Sequence, residues 1–102
     1  REGRVGYSMS KAAVERAFAS LSEEVKVNNI AVNVLNPGRM DTWMNRRGDW
    51  PGTVHITLEQ PDVIIPAAVW LAAQTAETFT GHRIERAEFG ESWGPGIAVS
   101  PP

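Results

Sequence analysis

The sequence predicts an α/β fold with a parallel sheet, in the order helix, strand, long loop, helix, strand. Three observations carry this reading. Tyr7, Lys11, Val14, Phe18, Leu21 and Val25 recur in steps of four and three, the spacing of one helical face. Ile30 to Leu35 is a short run of β-branched and apolar residues, as expected of a strand covered on both faces. A second helical pattern from Asp62 leads to a second short strand at His82 to Ala87. Strand, crossover helix and strand together make a βαβ unit, expected to be right-handed.

The first helix is expected from Tyr7 to Val27. Glu15, Arg16, Glu23, Glu24 and Lys26 lie mostly off the apolar line and read as solvated. Ala12, Ala13, Ala17 and Ala19 favour the helix and permit close approach of another element. Asn28-Asn29 supply stop and turn residues. In the strand that follows, Asn33 needs a hydrogen-bond partner if it is buried. Asn36-Pro37-Gly38 ends the strand: proline lacks a donor, and glycine permits either a special backbone angle or a close approach.

Residues 39–59 have no clean period. Trp43, Met44 and Trp50 are scattered among Arg46, Arg47, Gly48 and Pro51, a composition that suits a binding loop or lid. Asp62 is the expected N-cap of the second helix. Pro66 is tolerable there only within the first turn. Thr78-Phe79-Thr80-Gly81 turns the chain into the last strand, and the Gly- and Pro-rich segment 91–102 reads as an irregular tail.

Composition narrows the function. A length of 102 residues allows one domain or part of one. The formal charge of -2 gives no reason to expect nucleic acid or an anionic membrane. The longest apolar stretch, Val63 to Ala73, contains Pro66 and is too short to span a bilayer. The absence of cysteine fits a reducing, cytoplasmic setting. Arg1-Glu2-Gly3-Arg4 is no apolar leader, and the missing initiator methionine points to a start further upstream. His55 and His82 have no carboxylate or histidine at metal-ligand spacing, so no metal site is expected.

Tyr7 and Lys11 are the residues with chemistry. Four positions apart on a helix, they share one face. A phenol beside a fixed ammonium loses its proton more readily, and such a phenol serves as a general acid or base. The same spacing also describes a surface tyrosine beside a solvated lysine on an amphipathic helix.

Tyr7-Ser8-Met9-Ser10-Lys11-Ala12-Ala13 resembles the active-site helix of the short-chain dehydrogenases/reductases. Asn36-Pro37-Gly38-Arg39-Met40-Asp41-Thr42 resembles that family's Pro-Gly turn, with its threonine four residues after the glycine. Pro61-Asp62-Val63, Trp70-Leu71-Ala72 and Phe79-Thr80-Gly81 resemble its later helix and the turn into its last strand. The likeness runs from about Tyr7 to Arg86 and is to the C-terminal portion only. The family's glycine-rich phosphate loop has no counterpart, and Ser8 and Ser10 are too close to Tyr7 to act as its catalytic serine. The chain therefore reads as a truncated or partially sequenced reductase.

The resemblance implies the following. Residues 1–90 form the C-terminal portion of a Rossmann-type, doubly wound parallel sheet, with 43–59 as its substrate lid. Tyr7 exchanges a proton with an alcohol or carbonyl oxygen. Lys11 lowers the tyrosine pKa and binds the nicotinamide ribose of NAD or NADP. Pro37 and Gly38 bring backbone against the cofactor, and Thr42 reaches its amide or pyrophosphate. Trp43, Met44 and Trp50 shape the pocket for a small alcohol or carbonyl substrate. The helix from Tyr7 to Val27 packs against its copy in a homo-oligomer. The alternative is a non-catalytic remnant that keeps this helix and sheet edge as an interaction module.

Overall fold

The structure, a computed structural model, describes residues 4–38 and 60–100. The order of elements is helix α1 (Val5–Glu24), strand β1 (Val34–Asn36), helix α2 (Ile65–Ala72) and strand β2 (Arg83–Glu85). The two strands pair in parallel, with Val34 opposite Arg83, Leu35 opposite Ile84 and Asn36 opposite Glu85. A helix between two parallel strands is the expected α/β arrangement.

Helix α1 starts two residues before Tyr7 and ends at Glu24; a single 3-10 turn, Lys26–Asn28, carries the chain on. Asn29 closes that turn in the left-handed region, at φ 58°, which asparagine tolerates better than most residues. Its Oδ1 accepts a hydrogen bond from the Glu77 N–H at 3.2 Å, linking the end of α1 to the turn before β2.

The expected burial of the α1 stripe is not what the structure shows. Val14 is 47% exposed, Phe18 41% and Leu21 39%, and Ser22 is the helix's buried residue. The spacing makes the face, but a face is buried only when another surface lies across it. Among the described residues, a polar side-chain tie joins α1 to the sheet: Glu15 accepts from Arg83 Nε at 3.0 Å. Arg83 also donates to Glu85 at 2.8 Å. Hydrogen bonds donated to Glu85 and then to Glu15 hold the Arg83 guanidinium above its ordinary pKa.

Strand β1 is also shorter than expected. Ile30–Leu35 reads as a strand buried on both faces, whereas regular pairing spans Val34–Asn36, and all three residues are half-buried. The preceding residues do pair, but through a turn rather than a strand. Gly81 N–H donates to the Val32 carbonyl at 2.8 Å, and Val32 N–H donates to Thr80 Oγ1 at 2.9 Å. Asn33 finds its partners there: Nδ2 donates to the Phe79 carbonyl at 3.0 Å, and Oδ1 accepts from His82 N–H at 3.1 Å.

The expected N-cap at Asp62 is displaced. The chain enters through Gln60 in an extended conformation, with no side-chain cap bond, and Pro61 opens a 3-10 turn (Pro61–Ile64) that runs into α2. Pro61 has a fixed φ and no N–H, so it suits the first position and leaves Asp62 inside the turn. Pro66 falls in the first turn of α2, where it costs no hydrogen bond. The second strand, expected over His82–Ala87, is limited to Arg83–Glu85 because a 3-10 turn, Arg86–Glu88, follows.

The core is aromatic and lies in the second half of the chain. Ala67, Phe79, Ile84 and Trp93 are buried, with Leu35, Trp70, Leu71, Phe89 and Val99 packed against them. Trp70 meets Phe79 edge-on with ring centroids 5.1 Å apart, and Phe89 meets Trp93 at 4.9 Å. Such contacts add to the burial of large rings. Trp93 belongs to the segment that reads as irregular, yet it is 2% exposed, and its Nε1 donates to the Glu85 carbonyl at 2.7 Å. Gly94 lets the tail bend there: at φ 126°, a Cβ would sit 3.1 Å from the Phe89 ring.

Candidate functional site

Tyr7 and Lys11 lie on one helix and one face, as the spacing requires. Lys11 Nζ is 5.8 Å from the centroid of the Tyr7 ring. Tyr7 is 44% exposed, so its ring is open to a ligand. Among the described residues, Lys11 makes no ion pair; the carboxylate one turn further on, Glu15, is engaged with Arg83. Its three donors remain available for an acceptor outside the chain.

A second cation adjoins the ring. Arg4 Cζ stands 4.4 Å from the Tyr7 centroid, within cation–π range. The sequence reading passed over Arg4, although its signal was present: an arginine three residues before a tyrosine shares its helix face.

Pro37 and Gly38 stand at the C-terminal end of β1, where ligands bind in parallel sheets. Gly38 has φ 84° and its N–H donates to Asn36 Oδ1 at 3.1 Å. Among the described residues, nothing lies within 4 Å of where a Cβ would stand, so the glycine serves the turn angle there. Among the described residues, no hydrogen bond or ring contact joins this turn to Tyr7 or Lys11. Thr42, Trp43, Met44 and Trp50 lie outside the described residues.

A cavity of about 280 Å³ opens elsewhere, between the end of α1 and the turn before β2, lined by Ser22, Lys26, Glu77, Thr80 and His82 among others. It sits beside the N-terminal end of β2, away from the Pro37-Gly38 end. His82 stacks on Phe79 there, with centroids 4.2 Å apart, and burial lowers its pKa from 6.5. Among the described residues, no cluster of three His, Asp or Glu side chains is placed to hold a metal. No described helix is long and apolar enough to cross a membrane.

A parallel strand pair joined through a helix, behind a helix carrying Tyr7 and Lys11 on one face, defines a class. The profile of the family described as short chain dehydrogenase matches residues 1–50. The uncharacterized oxidoreductase YgfF of Escherichia coli (strain K12) is 34% identical over 91 residues, covering 81% of this chain and 37% of that protein. The 3-oxoacyl-(acyl-carrier-protein) reductase FabG of Chlamydia trachomatis is 33% identical over 86 residues, covering 78% of this chain and 35% of that protein. The FabG of Chlamydia muridarum matches to the same extent. No solved structure gives a significant match. The chain belongs to the short-chain dehydrogenase family. It spans a little over a third of the length of these relatives.

Proposed function

We propose that this chain is the C-terminal portion of an NAD(P)-dependent oxidoreductase that interconverts a small alcohol and a carbonyl compound. The observation that carries the reading is the shared face of Tyr7 and Lys11 on α1, in a chain similar to proteins named as oxidoreductases. The nicotinamide nucleotide supplies the hydride chemistry. The chain's own residues do the rest. Tyr7 exchanges a proton with the substrate oxygen. Lys11, with no ion pair among the described residues, donates to the ribose of the cofactor. The Pro37-Gly38 turn offers backbone at the ligand end of β1. Thr42 completes the cofactor contacts, and Trp43, Met44 and Trp50 form the substrate lid.

Residues 1–90 then belong to a doubly wound sheet of which β1 and β2 are neighbouring strands. The tail over 91–100 is anchored to it by Trp93. A reducing compartment such as the cytoplasm suits a chain without cysteine. The 102 residues alone are expected to be inactive. The exposed apolar line of α1 (Val14, Phe18, Leu21) also favours a second reading, in which the helix docks on a second copy of the chain.

The test uses the full-length gene product. Tyr7→Phe lowers turnover about 10²–10⁴-fold, the usual worth of a positioned general acid or base, while NAD(P)H binding followed by fluorescence persists. Turnover close to wild type would remove Tyr7 from the mechanism. If no carbonyl compound is reduced, but the protein self-associates through α1 in sedimentation, the docking reading replaces the enzymatic one.

A further inference from the structure

We propose that Arg83 is a positioning residue for proton exchange at Tyr7: by drawing Glu15 to the sheet, it keeps that carboxylate off Lys11. The inference rests on the reading of Tyr7 and Lys11 as the reacting pair.

Three observations lead there. Lys11 and Glu15 are four residues apart on α1, the spacing at which opposite charges on a helix pair. They form no such pair, and Glu15 accepts instead from Arg83 Nε on β2 at 3.0 Å. Second, the guanidinium is held independently of Glu15. Arg83 and Glu85 lie on one face of β2, with Ile84 between them turned to the core. Arg83 Nη1 donates to Glu85 Oε1 at 2.8 Å, and the Glu85 carbonyl is itself fixed by Trp93 Nε1 at 2.7 Å. Third, Lys11 Nζ stands 5.8 Å from the Tyr7 ring centroid and has no carboxylate partner among the described residues.

The competition for Glu15 has a physical outcome. Lysine followed by glutamate one turn later is the weaker order for a helix pair. Arginine presents a planar fork, so it loses less freedom on pairing than lysine does. Here Glu85 has already set the orientation of that fork. Arg83 therefore wins the carboxylate, and Lys11 keeps its positive charge free of one. A cation near a phenol favours the phenolate, and a carboxylate seated on that cation cancels much of the effect. Arg4, 4.4 Å from the ring centroid, is the other charged group at Tyr7; it lies at the opposite end of the pair from Glu15.

The experiment follows kcat/KM against pH for oxidation of a small secondary alcohol, ethyl 3-hydroxybutyrate, by the full-length gene product. In this direction Tyr7 accepts the hydroxyl proton as its phenolate, so the rate rises with pH. Arg83→Gln frees Glu15 for Lys11. The rise should move to higher pH, with a rate about threefold lower below its midpoint. Arg83→Gln combined with Glu15→Gln should return the profile to that of wild type, although the tie between α1 and β2 is still missing. Circular dichroism and the urea midpoint establish that each variant is folded. Arg83→Lys, which keeps the charge without the fork, makes the same comparison, with a smaller shift, should Arg83→Gln not fold. A wild-type profile in the folded single variant overturns the inference and leaves Tyr7 untouched. A loss that the second substitution does not repair also overturns it, since Arg83 then acts only as a structural tie. If wild type oxidises neither this alcohol nor any other, the reading of Tyr7 fails and this inference fails with it.

Discussion

Helix α1 and the aromatic cluster behind β2 are held in opposite ways. The helix has 20 residues and buries one, Ser22. The cluster gathers four buried residues and five half-buried ones, all but Leu35 from the stretch between Ala67 and Val99. Tyr7 and Lys11, the residues we propose for the chemistry, are both in the bare helix. The rings that hold the fold are all in the second half. Packing and the proposed chemistry are thus separated along the chain, and substitutions in the two regions should have different consequences.

The sharpest contrast comes from Trp93. Trp93→Ala should cost about 3–5 kcal/mol, read as a fall in the urea midpoint, because it leaves a cavity among Trp70, Phe79 and Phe89. Asn33→Ala should cost about 1–3 kcal/mol, since the Phe79 carbonyl and the His82 N–H both lose their partner.

A smaller effect depends on pH. Burial lowers the His82 pKa below 6.5, so the unfolded chain binds the proton more tightly than the folded one. The stability tied to neutral His82 is complete above pH 6.5. It should decline as pH falls from there through the lowered value, and His82→Gln should flatten that part of the profile. The Glu15–Arg83 pair is about half exposed, and a double-mutant cycle should return about 0.2–1 kcal/mol, less in high salt. Last, Val14→Ala on the bare face of α1 should change stability by no more than about 0.5 kcal/mol. Should Val14→Ala cost as much as Trp93→Ala, the two regions form one core and the contrast is broken.

How much of this was legible in the sequence follows the same division. Helix α1 was readable because steps of four and three repeat over five turns. Its exposure was not, because periodicity marks a face without marking what covers it. The Tyr7–Lys11 juxtaposition followed from spacing alone. The Arg4 contact uses the same rule at the helix boundary, where the reading had no pattern to extend. Strand β1 was placed correctly but drawn too long, because β-branched composition does not reveal where the pairing partner begins. Trp93 was missed for a physical reason: it is a single large ring among Gly90, Gly94, Pro95 and Gly96, and a residue buried by a turn leaves no repeat in the sequence. The Asp62 cap failed because Pro61, one residue earlier, already fits the start of the turn.

The carboxamide of Asn33 stands in for a peptide group where β1 meets the Phe79–His82 turn. Its neighbours in sequence are Val32 and Val34, neither of which can both give and accept a hydrogen bond through its side chain. A slide of the strand by one position would therefore forfeit two bonds at once. This one amide fixes the alignment of the parallel pair, and with it the place where Pro37 and Gly38 emerge.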